Sequence, residues 1–387
     1  MANQATETRM RIAVTGGGTG GHVYPAMAVI AALSELSPLL LYFGTGRGIE
    51  ADLVQRQSIP FAAVSAGALR GRSPLRLCLS LGLMLWGFSQ SLFALRRFQP
   101  DVVLATGGYV CVPVVVAAWV LRISSLIYLP DVEPGWAVRF LSRFASKIAV
   151  TAEKSRDFLP ARKVVVTGYP VRPGFTEIDK TVAKNRMGLD DSSKTLLVWG
   201  GSRGAHSINV AMSRMLPELL GLCRIIHLSG TDDEPWLQKM RSSLPEENRR
   251  RYLLYGYLHE EFPVVLAAVD LAVSRAGAST MGEFTAAGLP SVLIPYPFAG
   301  GHQRQNAGFL AERGAARIVE ESEIEELLPL VKDLLASDDV LAEMAENARR
   351  LAQPEAARKI ATLLEQLGRD ETRRSTDGLQ GAPWRTQ

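Results

Sequence analysis

Apolar and polar positions along this chain alternate between two rhythms. Short runs of strand length, rich in Val, Ile and Leu, recur between longer stretches whose apolar residues return every three or four positions. The first rhythm suits a strand buried on both faces in a parallel sheet, and the second a helix laid across that sheet. In the first half the strand-like runs are 11–15 (RIAVT), 39–44 (LLLYFG), 101–106 (DVVLAT), 124–129 (SSLIYL), 147–152 (KIAVTA) and 163–168 (KVVVTG). A second series follows at 195–200, 224–230, 252–258, 271–276, 291–297 and 316–320, with amphipathic stretches at 206–221, 302–313 and 338–351. Strict alternation of this kind predicts two α/β halves in tandem, each a parallel sheet covered by helices.

The join falls at 168–175 (GYPVRPGF), where two prolines and two glycines follow the last strand of the first series. Each half opens with a glycine-rich turn directly after its first strand, at 15–22 (TGGGTGGH) and 200–207 (GGSRGAHS), a pseudo-repeat of geometry more than of identity. From 369 to 387 the chain is polar and patternless, and a disordered tail is expected there.

Two long uncharged runs change the picture. Residues 102–121 reach the length of a membrane span but contain Gly107-Gly108 and Pro113, so a buried strand, a turn and a helix start explain them better. Residues 77–95 carry no charge over 19 positions, include Ser80, Ser89, Gln90 and Ser91, and lie between Arg70, Arg72, Arg76 and Arg96, Arg97. Three readings are open: a core helix, a true span, and a helix lying on an anionic bilayer with Leu83, Leu85, Trp86 and Phe88 in the acyl boundary.

Composition then narrows the class. A chain of 387 residues, 47% hydrophobic and 21% charged, suits two globular domains and excludes disordered or collagenous architectures. The formal charge of +4 favours an anionic ligand or surface, and nothing in the pattern asks for nucleic acid. Three scattered cysteines outside any CxxC spacing give neither a disulfide framework nor a zinc site, and a reducing cytosol is the simplest compartment. The N-terminal MANQATETRMR lacks the pattern of a signal peptide.

The glycine turns carry the candidate chemistry. A strand running through such a turn into a helix gathers unpaired N–H groups and the positive end of a helix dipole, which together bind anions. Residues 16–21 (GGGTGG) let a diphosphate approach the backbone, although a merely tight turn stays open as a reading; neither turn matches GxxxxGK[ST]. His22 follows at the helix N-terminus, which favours the neutral imidazole a general base needs; a capping or ligand-contacting histidine is the alternative. No HExxH or DxD spacing implies a metal. Late in the second half, 274–284 and 295–309 cluster polar residues: Glu283 is placed to take both hydroxyls of a ribose, and Gln303 and Asn306 share one helix face. Taken with Ser202, they suggest a nucleotide-sugar pocket; singly, each also fits a solvated or capping side chain.

In order and spacing, 16–26 (GGGTGGHVYPA), 106–110 (TGGYV), 166–173 (VTGYPVRP), 200–209 (GGSRGAHSIN), 274–290 (SRAGASTMGEFTAAGLP) and 302–307 (HQRQNA) resemble the MurG family of bacterial cell-wall N-acetylglucosaminyltransferases. The resemblance covers about residues 10–365. It implies the GT-B fold: two Rossmann-like domains with parallel sheets facing across a cleft, an acceptor- and membrane-binding domain at 1–170, a donor-binding domain at 171–353, and a helix at about 354–368 returning to the first. It also implies inverting transfer from UDP-N-acetylglucosamine to the muramoyl 4-hydroxyl of an undecaprenyl-diphosphate-linked pentapeptide in peptidoglycan synthesis, at the cytoplasmic face of the membrane and without a metal or other cofactor.

By the same resemblance His22 is the catalytic base, and the donor is met by Thr19, Gly20, Gly21, Asp131, Arg172, Ser202, His259, the segment Ala278, Ser279, Thr280, Met281, Gly282, Glu283, and Gln303. The acceptor diphosphate falls to Gly17, Gly18, Gly107, Gly108 and Tyr109. Two positions depart from the family pattern. Where it has HEQN, this chain reads Tyr128, Leu129, Pro130, Asp131, and Tyr169 stands in place of an Asn. A carboxylate at 131 accepts hydrogen bonds but cannot donate them as an amide does. Another GT-B lipid glycosyltransferase, or an enzyme like the UDP-sugar epimerases, is the alternative reading.

Overall fold

The computed structural model describes residues 9–46, 48–67, 74–172, 174–175, 178–190, 192–201, 204–298 and 301–380, with backbone only at 74–76 and 371–380. The chain divides into two compact units. The first comprises 1–130, 134–170 and 355–387, and the second 131–133 and 171–354.

In the first unit seven strands run parallel: β1 (Arg11–Thr15), β2 (Leu39–Gly44), β3 (Phe61–Ala63), β4 (Val102–Ala105), β5 (Ser124–Leu129), β6 (Lys147–Val150) and β7 (Val164–Val166), in the order β3-β2-β1-β4-β5-β6-β7. Register places Ala13 beside Leu41 on one side and Val103 on the other. The strands read as continuous apolar runs because helices cover both faces: α1 (Gly20–Ala32), α2 (Ile49–Arg56), α3 (Pro74–Phe98), α4 (Cys111–Val120) and α5 (Trp136–Leu141). All four residues of β4 are buried. The three-residue edge strand β3 has no counterpart in the sequence reading, since three half-exposed residues are too few to show a period.

The second unit repeats the plan with six parallel strands: β8 (Thr195–Trp199), β9 (Arg224–Leu228), β10 (Tyr252–Tyr255), β11 (Leu271–Ser274), β12 (Ser291–Leu293) and β13 (Ala316–Ile318), in the order β10-β9-β8-β11-β12-β13. Its helices are α6 (Lys180–Arg186), α7 (His206–Leu222), α8 (Glu234–Ser242), α9 (Glu246–Arg251), α10 (Phe262–Ala268), α11 (Thr285–Ala287), α12 (His302–Ala311), α13 (Leu327–Leu335) and α14 (Asp338–Leu351). In both sheets the strand order reverses beside the first strand of the half, between β1 and β4 and between β8 and β11. Loops leaving the carboxyl ends of such a pair splay to opposite faces and open a crevice, the usual ligand position of a doubly wound sheet.

The last helix, α15 (Ala356–Gln380), returns to the first unit, where it packs on α1, β4 and β5 and buries Ala356, Ile360, Ala361 and Leu364. It corrects the expected loss of structure after 368, because the helix runs on to Gln380. The buried turns nucleate the helix, and Arg369 reaching Glu365 one turn back supports its continuation into the polar stretch.

Helix α3 is inverted relative to an ordinary surface helix. Its inward side admits small and polar residues, Ser80, Gly87 and Ser91, which are buried together with Met84 and Leu95. A Cβ on Gly87 would stand 1.9 Å from the Ser65 carbonyl oxygen, so only glycine permits that approach. Its outward positions are Leu77, Leu79, Leu81, Leu83, Leu85, Trp86 and Phe93, with Leu85 71% and Trp86 62% exposed. Phe88 departs from the expected lipid-facing set: it packs against the core with Leu92, because it lies one position beyond Gly87 on the inward side. Arg70 and Arg72 lie outside the described residues.

Candidate functional site

The first crevice forms where the turn after β1 meets the turn after β4. Gly18 sits at φ +86° and Gly107 and Gly108 at +118° and +88°, conformations that L side chains rarely adopt. A Cβ on Gly108 would stand 2.4 Å from the Gly17 carbonyl oxygen, and one on Gly107 would stand 2.6 Å from the His22 ring. The two turns are therefore packed glycine to glycine, and the Gly17 amide donates to the Gly107 carbonyl at 3.2 Å. Thr19 caps α1 in an extended conformation without a side-chain bond, so the first amides of the helix, at Gly20 and Gly21, have no intrahelical acceptor. These groups and the dipole of α1 make the crevice suited to a diphosphate.

His22 stands at the edge of that crevice. Its Nδ1 lies 3.0 Å from the Gly17 carbonyl oxygen and 3.4 Å from Thr19 Oγ1. A carbonyl oxygen only accepts, so Nδ1 carries the proton and the lone pair of the neutral ring is on Nε2, the nitrogen beside Gly107. This is the tautomer a proton acceptor needs. Beneath the turn lies Glu50, fully buried, a residue the sequence reading passed over because nothing in GRGIEADLV marks it. Glu50 accepts from the amides of Gly18 (3.2 Å) and Thr45 (3.0 Å) and from Thr45 Oγ1 (2.5 Å).

The second crevice belongs to the second unit, between the turn after β8 and the segment after β11. Gly201 and Gly204 have positive φ, and Gly204 donates to the Gly201 carbonyl at 3.0 Å. Ser202, expected at this turn, lies outside the described residues. Opposite, residues Thr280–Phe284 form a turn of π-helix that buries Glu283 to 3% exposure. Burial pushes its carboxyl up to about 7, against the lowering effects of the Arg172 guanidinium and a hydrogen bond from Ser279. Arg172 itself lies over the Phe175 ring at 5.3 Å.

Within the expected donor segment the side chains divide. Thr280 donates to the Gly277 carbonyl at 2.7 Å and Met281 is buried, so these two turn inward and offer a ligand only their backbone. Gly277, Ala278 and Ser279 remain half-exposed. His259 is exposed after β10, its ring edge-on to Tyr257 at 4.5 Å. Gln303 uses its Oε1 to accept from the Tyr296 amide at 2.9 Å, which leaves its NH₂ group for a ligand.

Asn306 and Asp131 form a hub of this unit. Asn306, fully buried, donates to Asp131 Oδ1 at 2.8 Å and to the Ala276 carbonyl at 3.1 Å, and accepts from the Val132 amide at 3.0 Å. The segment 131–133 is thereby tied to α12 and to Ala276 after β11. Arg275, 7% exposed, binds Ser207, the Ile294 carbonyl and Glu321, and joins the helix α7 start to the β11 and β12 ends. Behind α7 runs a closed polar chain, Tyr252 to His227 (2.7 Å), His227 to Asn209 (2.9 Å), and Asn209 to Asp233 (2.7 Å). Burial holds His227 neutral, lowered to about 3.

Two family models match the chain, the glycosyltransferase family 28 N-terminal domain over residues 12–150 and its C-terminal domain over 195–363. A relative from Roseiflexus sp. (strain RS-1) is 40% identical over 419 residues, covering 92% of this chain and 95% of its own. One from Desulforudis audaxviator (strain MP104C) is 41% identical, covering 94% and 100%. Both are named UDP-N-acetylglucosamine–N-acetylmuramyl-(pentapeptide) pyrophosphoryl-undecaprenol N-acetylglucosamine transferase. The crystal structure of Acinetobacter baumannii MurG matches with a TM-score of 0.70 at 28% identity, over 92% of this chain and 99% of that one. This chain belongs to the MurG family.

Membership places the two Rossmann-like units in the GT-B fold. A UDP-GlcNAc 2-epimerase from Neisseria meningitidis, 15% identical with a TM-score of 0.67, shares that fold. The departures from the MurG pattern now have a structural account. Tyr128 and Tyr169, which replace the family's His and Asn, pack edge-to-face at 6.3 Å, and the Tyr128 hydroxyl bonds Thr151 Oγ1 at 2.8 Å. The two departures are thus in contact inside the first unit. Asp131, in place of the family's Asn, accepts from Asn306, which a carboxylate does as well as an amide oxygen.

Proposed function

We propose that this chain transfers N-acetylglucosamine from UDP-N-acetylglucosamine to the muramoyl 4-hydroxyl of an undecaprenyl-diphosphate-linked muramoyl pentapeptide, completing the lipid-linked disaccharide of peptidoglycan synthesis. The observation that carries the reading is a match of about 40% identity, over nearly the whole of both chains, to relatives named for that transfer.

In this reading the acceptor hydroxyl attacks the anomeric carbon of the α-linked donor, His22 Nε2 takes its proton, and UDP departs from the opposite face, leaving a β-1,4 bond. The donor is held by the second unit, with Glu283 accepting from the ribose hydroxyls, Arg172 and the turn at Ser202 near the phosphates, and Gln303 on the sugar. The first unit holds the acceptor diphosphate at the turns Gly17–Gly21 and Gly107–Tyr109, with the Gly20 and Gly21 amides as donors, since those of Gly17 and Gly18 already donate to Gly107 and Glu50. Helix N-termini and backbone amides meet the charge of the departing UDP, and the reading assigns no metal or other cofactor.

The apolar outer face of α3 docks the protein on an anionic bilayer from the cytoplasmic side, with Arg96 and Arg97 at its margin. The helix is long and apolar enough to cross a membrane by composition, but Gly87, Ser91 and Leu95 are fixed to the core of the first unit, which favours lying on the surface over spanning it. The test is incubation with radiolabelled UDP-N-acetylglucosamine and a short-chain analogue of the acceptor lipid. Labelled lipid product is expected, and its absence from folded protein overturns the assignment.

A further inference from the structure

The carbonyl of Gly17 and the amide of Gly18 belong to one peptide group, and both of its ends are occupied. Its N–H donates to the Glu50 carboxylate at 3.2 Å, and its oxygen accepts from His22 Nδ1 at 3.0 Å. We propose that Glu50 is a positioning residue for His22 that acts through this peptide, as a carboxylate–peptide–imidazole relay. The inference rests on His22 being the base.

The physical argument has three steps. A hydrogen bond to a carboxylate is charge-assisted, and drawing on the N–H of a peptide adds negative charge to its oxygen. The enriched oxygen holds Nδ1–H more tightly, in the imidazolium more than in the neutral ring, so the relay fixes the tautomer and weakening it disfavours proton uptake at Nε2. In a Ser-His-Asp triad the orienting carboxylate touches the imidazole directly; here one peptide plane stands between them.

The surroundings are built for this contact. A Cβ on Gly17, Gly44 or Gly48 would stand 2.4, 2.8 or 2.1 Å from the Glu50 side chain, so three glycines make room for one buried carboxylate. Gly18 at φ +86° turns its amide down toward Glu50, and Gly108 presses on the Gly17 carbonyl from above. Among the described residues, the ionisable side chains that interact with the cluster are Tyr42 from β2, which donates to the Gly16 carbonyl at 2.8 Å, and Cys111 from α4. Burial pushes Tyr42 well up and Cys111 up to about 12, so both stay protonated at neutral pH. Arg47, beside Gly48 in sequence, lies outside the described residues.

The experiment combines turnover with ¹⁵N NMR of the histidine ring in the full-length protein. In Glu50→Gln, kcat is expected to fall roughly 10-fold with KM for donor and acceptor within about two-fold. The His22 titration should move to lower pH, and the Nδ1–H signal should weaken. Thr45→Val removes a competing donor from the same carboxylate and should move the His22 titration the other way. This opposite sign is a result that general loosening of the turn does not produce, and it keeps the test usable if Glu50→Gln does not fold. A His22 titration unchanged in both variants, or shifted in the same direction in both, overturns the relay. Full activity in His22→Ala would instead overturn the assignment of the base, while the ring signals still report whether Glu50 and His22 are coupled.

Discussion

At the scale of single residues, the two crevices use charge in opposite ways. In the first, the lone pair of His22 is set by a carbonyl, so His22→Ala should lower kcat by 100-fold or more, roughly the contribution of a general base, while donor KM changes little. Steady-state kinetics at saturating acceptor would check this, and an equal loss in both parameters would make His22 a substrate contact. In the second, Glu283 sits where burial disfavours its charge. Its pKa in the folded state, about 7, exceeds the ordinary 4.5, so its contribution to stability is complete below pH 4.5 and is lost as pH rises through 7. The loss is on the order of 3 kcal/mol at 1.36 kcal/mol per unit. Glu283→Gln should therefore raise the melting temperature of the ligand-free protein at pH 8, with no gain at pH 4.5. The same substitution should raise donor KM about 30-fold, and wild-type donor KM should fall between pH 6 and 8 as the carboxylate ionises to accept the ribose hydroxyls. Calorimetry and donor titrations over that range would show whether stability and recognition trade off at this residue.

At the scale of the element, α3 separates two kinds of apolar position that a hydropathy window cannot distinguish. Leu85 and Trp86 face outward, whereas Phe88 and Leu92 pack on the core. Leu85→Ser with Trp86→Ser should leave the melting temperature within about 1 °C and reduce sedimentation with anionic vesicles several-fold, since each removes roughly 1.5–3 kcal/mol of apolar burial in the bilayer. Phe88→Ser should do the reverse, lowering stability by 1–3 kcal/mol with vesicle binding of the folded fraction preserved. Loss of vesicle binding in Phe88→Ser alone would place the docking face on the other side of the helix. The inversion of α3 was visible in sequence only as a missing charge: the uncharged run was plain, but which of its residues face the core depends on Gly87 meeting the Ser65 carbonyl, a contact 22 positions away.

At the scale of the whole molecule, the final helix is part of the first unit although it follows the second. Ile360 and Leu364 are fully buried there. A chain ended after Pro354 should lose several kcal/mol from the first unit, at roughly 1.5–3 kcal/mol for each large side chain uncovered. The second unit, whose sheet and hub are complete without that helix, should still bind UDP. Isothermal titration with UDP, alongside thermal scans, would show one transition lost and donor binding kept; loss of both would mean that the units do not fold independently.

The alternation of strand and helix and the two glycine turns are consequences of local pattern, whereas the strand order, with β1 beside β4 and β8 beside β11, is a tertiary decision. Period, β-branched runs and glycine-rich turns act within a few residues, so the two parallel sheets and the positions of His22 and Glu283 beside their turns were legible in the sequence, while the burial of Glu283 was not. Partners far apart in the chain were not. Glu50 reaches Gly18 across 32 positions, and Asp131 reaches Asn306 across 175. Tyr128 and Tyr169 read as separate departures until their rings were found in contact. A carboxylate, an amide or a phenol looks the same in sequence whether it is solvated or buried. Only the packing of one turn against another decides which donor it meets, because desolvation leaves each buried polar group with the few partners the fold has brought within reach.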